Sequence, residues 1–132
     1  LSIAIVYFQL NKNSDSRTPY SVAKIISGLP IDETYHLLYY EEQDMEFASD
    51  GSIIEVFLLS DKQSNIIFQC CNNNGFRKFA KETSADDPNS VFFGYGFDKQ
   101  EDVLEKHEDG LNESKTITLY INRKILYISH YY

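Results

Sequence analysis

The sequence predicts an α+β fold: one domain over residues 1–132, built on a mainly antiparallel sheet of about six to eight strands with two or three short helices. Three observations predict it. Runs of β-branched and aromatic residues follow one another across gaps of only a few polar residues, too short for the crossovers of a parallel sheet. Asp50-Gly51 and Asn122-Arg123 each stand between two such runs, where a tight turn would reverse the chain. A chain of 132 residues, 42% hydrophobic and 14% aromatic, is long enough to bury a core without disulfides or metals.

In chain order, "SIAIVYFQL" reads as a strand and "NKNSDSRTP" as a loop. Thr18 before Pro19 has the form of an N-cap followed by proline at the first helical position. The helix that follows places Val22, Ile25, Ile26 and Leu29 near one face and stops at Gly28. "TYHLLYY" begins the strands, and "SIIEVFLLS" follows the Asp50-Gly51 turn. "DKQS" separates it from "NIIFQCC", which reads as the other arm of a hairpin. "GFRKFAKETSA" reads as a short helix with Phe76, Phe79 and Ala80 inward and Arg77, Lys78 and Lys81 outward. "VFFGYGF" reads as a strand, and "KTITLYI" and "KILYISHYY" as a terminal hairpin.

Between them lies "DKQEDVLEKHEDGLNE", seven acids against two lysines in sixteen residues. At 100° per residue, Asp98, Glu101, Asp102, Glu105, Glu108 and Asp109 fall on about one third of a helical wheel. Val103, Leu104 and His107 lie opposite, and Gly110 would end the helix. As a helix the segment is poorly tuned for its own stability, because like charges repel at four-residue spacing and acids crowd the C-terminal end. Neutralising Glu101, Glu105 and Glu108 should then leave stability equal or slightly higher.

Twenty acids against twelve bases give a net charge of −8. Such a field repels nucleic acid and anionic membrane surfaces, so neither is expected as a partner. No cofactor or metal is expected either. The Gly94-x-Gly96 pair lacks the third glycine of a dinucleotide-binding turn, and the three histidines have no metal-ligand spacing. Cys70 and Cys71, read as neighbours in a strand, point to opposite faces and are poorly placed to bridge each other. The absence of a disulfide framework, and an opening segment without a basic leader or cleavage site, lead to the expectation of a cytoplasmic protein.

These features favour a non-enzymatic binding protein that neutralises a basic protein partner. Its most concrete form is an immunity protein or inhibitor occluding a nuclease toxin domain; small, acidic, cofactor-free proteins of that kind are similar in charge and size only. The residues expected to meet the partner are Asp98, Glu101, Asp102, Glu105, Glu108 and Asp109, with Glu41, Glu42 and Asp44 second. Two alternatives stand beside this. One is a small-molecule-binding or enzymatic domain with an aromatic pocket, for which His36 and His130 are the candidate lining histidines; the other is a structural subunit assembling through an edge strand, the tyrosine-rich C-terminal one.

Overall fold

A computed structural model describes residues 18–44, 51–83 and 99–132. Its elements are α1 (Pro19–Ser27), β1 (His36–Asp44), β2 (Gly51–Leu58), α2 (Asp61–Asn72), β3 (Arg77–Thr83), β4 (Lys99–Gly110), β5 (Glu113–Tyr120) and β6 (Ile125–Tyr131). The six strands form one sheet in the order β1-β2-β6-β5-β4-β3, antiparallel throughout. The fold is α+β, as the sequence predicts, with six strands and two helices among the described residues.

α1 begins where the Thr18 hydroxyl accepts a hydrogen bond from the Ser21 amide and the Ser21 hydroxyl accepts one from the Thr18 amide. It ends at Gly28, whose φ of 71° suits a residue without a Cβ. Val22, Ala23 and Ile26 are buried, but Ile25 points outward and is 79% exposed, so it does not share the inner face expected of it. The terminal hairpin also follows the sequence reading, with Lys124 in the left-handed region closing the turn between β5 and β6.

Three elements differ from the reading above. "NIIFQCC" lies in α2: Ser60 and Gln63 form a reciprocal capping box, and Ser64, Ile67 and Cys71 are buried at helical spacing. "GFRKFAKETSA" is not a helix but contains β3, so Phe76 and Phe79 pack into different clusters and Ala80 is exposed. The acidic segment is β4. Val103 and Leu104 are both fully buried yet belong to clusters on opposite faces, which only a two-residue period allows. Strong helix formers yield here to tertiary pairing with β3 and β5. The strands expected at 2–10 and 91–97, the Gly94-x-Gly96 pair and Asp50 lie outside the described residues.

Both helices cover one face of the sheet. There Val22, Ala23, Ile26 and Ile67 pack with Phe57, Leu104, Ile117, Leu119, Leu126 and Ile128. On the other face Val56, Val103, Tyr120 and Ile125 form a second buried cluster. β6 sits in the middle of the sheet, hydrogen-bonded to β2 and β5. The tyrosine-rich terminal strand is therefore no edge, which removes the basis for assembly through it; the sheet ends at β1 and β3 among the described residues.

α2 also changes the setting of the cysteines. Both are free thiols, Cys71 buried and Cys70 half-buried, side by side on a helix instead of a strand. Burial pushes the Cys71 thiol up to about 12. A thiol held neutral and out of solvent is a poor nucleophile. Titration with an aromatic disulfide reagent should label Cys71 only as fast as the fold opens; rapid labelling of both thiols in the native state would contradict this placement.

Candidate functional site

In the strand register the nine candidate acids do not form one stripe. Asp98 lies outside the described residues. Along β4, Glu101, Glu105 and Asp109 face one side of the sheet, and Asp102 and Glu108 face the other. The single acidic face expected of residues 98–109 is thus divided in two.

The acids in the lower half of β4 are engaged within the fold. Arg123 Nε lies 2.7 Å from Glu101 Oε1, with the glutamate side chain only 6% exposed. Glu105 Oε2 accepts from Lys81 Nζ at 2.7 Å and from Thr118 Oγ1 at 2.6 Å. β3 supplies Lys81 opposite Glu101 and Arg77 opposite Glu105, so the basic residues once placed on a helix line the acidic strand. Nearby, Lys124 pairs with Asp61. At this end of the sheet, charge is used to hold strands together.

The opposite end is different. Alternating strand directions bring the C-terminal ends of β1, β4 and β6 together with the N-terminal ends of β2 and β5. One row across the sheet reads Glu42, Ile53, His130, Lys115, Glu108, and the row beside it Glu41, Ile54, Ser129, Thr116, His107. Beyond them come Gln43, Ser52, Tyr131, Ser114 and Asp109, and finally Asp44 and Gly51 on one side with Glu113 and Gly110 on the other. Both candidate groups thus supply one rim. Glu41, Glu42 and Asp44 stand on β1, Glu108 and Asp109 on β4 about 19 Å away, four strand spacings across the sheet, and Glu113 on β5, one spacing nearer.

Ion pairing at the rim is loose. Lys106 Nζ is 3.9 Å from Glu108 and Lys115 Nζ is 3.8 Å from Glu113. Glu42 accepts from the Tyr40 hydroxyl at 2.5 Å. His107 bridges Thr116 Oγ1 at 2.8 Å and Asp109 Oδ1 at 2.9 Å. Because a carboxylate only accepts, the neutral ring carries its proton on Nε2 and takes the Thr116 hydroxyl at Nδ1. The same rim exposes apolar surface. Leu111, in the two-residue loop between β4 and β5, is 93% exposed, and Tyr131 is 48% exposed. Burial raises the Tyr131 hydroxyl above its ordinary value, with Tyr127 and Glu41 adding to the rise.

Sequence reasoning missed Leu111 and Glu113 as part of this surface. The signal was present: a leucine beside an asparagine at a tight turn has no neighbour to pack on, and Asn112 takes the left-handed conformation such turns need. Glu55 was missed as well. It shares a face with Ile53 and Phe57 in "SIIEVFLL" and is fully buried between Tyr40 and Ile128 in the register. His36 is exposed, and His130 lies under the rim with its ring 5.0 Å from that of Tyr132.

His130 Nε2 is buried and makes no hydrogen bond; the nearest carboxylate oxygen, of Glu113, is 3.6 Å away. Burial lowers the affinity of this ring for a proton, with Lys115 acting in the same direction and Glu113 opposing. The folded pKa is thus depressed below the ordinary value near 6.5. Between the two values the unfolded chain binds more protons than the folded one, so stability falls as pH drops below about 6.5. Replacing His130 with Gln should flatten the melting temperature between about pH 5 and 7. An unchanged slope would contradict the assignment.

Among the described residues no group of three or more His, Cys, Asp and Glu is arranged to hold a metal ion, and no helix is long and apolar enough to cross a membrane. Comparison with protein families, with curated proteins and with solved structures finds no match to this chain.

Proposed function

We propose that the protein is a non-enzymatic binding protein that neutralises a basic protein partner through its acidic rim, in the manner of an immunity protein or inhibitor blocking a nuclease. The observation that carries this reading is the pairing of loosely neutralised carboxylates with exposed apolar anchors at one end of the sheet. Glu41, Glu42 and Asp44 on β1 and Glu108, Asp109 and Glu113 on β4 and β5 stand at the same end of the sheet as Leu111 and Tyr131, with Lys106 and Lys115 as the lysines near the second group. Clustered like charge raises encounter rates, and a few desolvated apolar or aromatic side chains supply most of the lasting affinity. A basic cleft that binds nucleic acid offers the complementary surface.

The test is affinity capture from an extract of the native host, using the wild-type chain and a Leu111→Ala, Tyr131→Ala variant. The reading expects one basic protein retained by the wild type and lost from the variant, with its nuclease activity suppressed by added wild-type protein. Retention of an acidic partner, or equal capture by both proteins, would overturn it.

A further inference from the structure

We propose that the notch where β4 outruns β3 is a binding site for a small planar carboxylate. β4 spans twelve residues and β3 seven, and their pairing begins at Arg77 opposite Glu105. Lys106, His107 and Glu108 therefore continue past the end of β3, while the chain turns away at Gly75, whose φ is 79°. The result is a cavity of about 440 Å³ lined by Gly75, Arg77, Phe79, Glu105, Lys106, His107 and Glu108. That size is within the usual range for small-molecule sites, roughly 300–1,000 Å³.

Charge at the notch is balanced, two cations against two acids, in a chain whose net charge is −8. Arg77 faces Glu105 across the strands, yet the Glu105 oxygen Oε2 is already taken by Lys81 and Thr118. Arg77 makes no ion pair; its guanidinium rests 5.3 Å from the centre of the Phe79 ring. Stacking on an aromatic face fixes the plane of the guanidinium and leaves its donor fork open. Lys106 Nζ lies 5.9 Å from the Phe76 ring centre and reaches Glu108 only at 3.9 Å. A carboxylate matches the fork with two parallel hydrogen bonds and adds a single negative charge. A phosphate dianion would bring two charges beside Glu108, in a notch with two cations and two acids. The Phe79 ring favours a ligand whose carboxylate is carried on a flat apolar body.

The site shares Lys106 and Glu108 with the rim but does not rest on the rim reading, and it is tested without any partner. Benzoate is titrated into the labelled protein, and the Arg77 Nε–H and Phe79 amide resonances are followed by NMR. Saturation in the low-millimolar range is expected, about the affinity one bidentate pair and one ring contact support. Benzamide, the neutral analogue, should bind at least about tenfold more weakly, and Arg77→Gln should lose benzoate by at least about tenfold. Arg77 is exposed, so the variant keeps its fold, which its amide spectrum verifies. Arg77→Lys, which keeps the charge without the fork, should also bind more weakly than wild type. No saturation up to about 20 mM, equal binding of benzamide, tighter binding of inorganic phosphate than of benzoate, or no effect of Arg77→Gln would each overturn the proposal.

Discussion

Replacing Glu101 with Gln is expected to destabilise the fold by about 2 kcal/mol, reducing the melting temperature by roughly 6–10 °C. The cause is local. Glu101 is 6% exposed and Arg123 23% exposed, at 2.7 Å, so the variant removes the charge from one side of a mostly covered ion pair. Removing one partner of a fully buried pair costs about 3–5 kcal/mol, and the partial exposure of Arg123 reduces that figure. A double-mutant cycle with Arg123→Gln should return a coupling of about 1–2 kcal/mol. Glu105→Gln should lose about 1 kcal/mol, because Lys81 and Thr118 both depend on the same oxygen. Asp102, exposed on the other face, should tolerate Asn within about 0.5 kcal/mol. A helical reading of the segment makes the opposite forecast, that neutralising Glu101 and Glu105 leaves stability equal or higher. Chemical denaturation of these variants decides between strand and helix, and stability gained by Glu101→Gln would contradict the ladder.

The contrast shows what the sequence made legible. α1 could be read from Thr18, Pro19 and Gly28 because caps act within a few residues. The hairpin of β5 and β6 was equally local. β4 was not local. Its Glu, Lys and Leu residues prefer helix, and only pairing to β3 and β5 on both sides makes a strand the better state. One clue was readable. Val103 and Leu104 are adjacent apolar residues in an otherwise polar run, which suits a strand buried on both faces as well as a helix. α2 was misread although its capping box, Ser60 to Gln63, stands plainly in the sequence. For the candidate site, composition named the acids, but their grouping depends on strand direction. Glu41 and Asp109 share one rim only because β1 and β4 run to the same end of the sheet. Sequence alone carries no information on that order.

The second large effect concerns partner capture. Glu41→Gln, Glu108→Gln and Glu113→Gln together remove three rim charges, of which only Glu113 stands near a buried group, His130 at 3.6 Å, so the stability change should stay within about 1 kcal/mol. The association rate with the captured partner should fall at least about tenfold, because steering depends on charge near the contact surface. Dissociation should change far less, since Leu111 and Tyr131 remain. Raising salt should slow the wild type steeply and the variant only gently.

The central claim is that charge at the rim, and not the overall charge of −8, captures the partner. A charge-matched control separates the two. Glu33→Gln, Glu82→Gln and Asp102→Asn remove the same number of charges from exposed positions away from the rim. The decisive measurement is stopped-flow association of the wild type and both triple variants with the captured partner at low and physiological salt. The rim account predicts that the rim variant loses at least about tenfold in rate while the control loses less than about twofold. Equal losses in the two variants, or a rim variant as fast as the wild type, would contradict it.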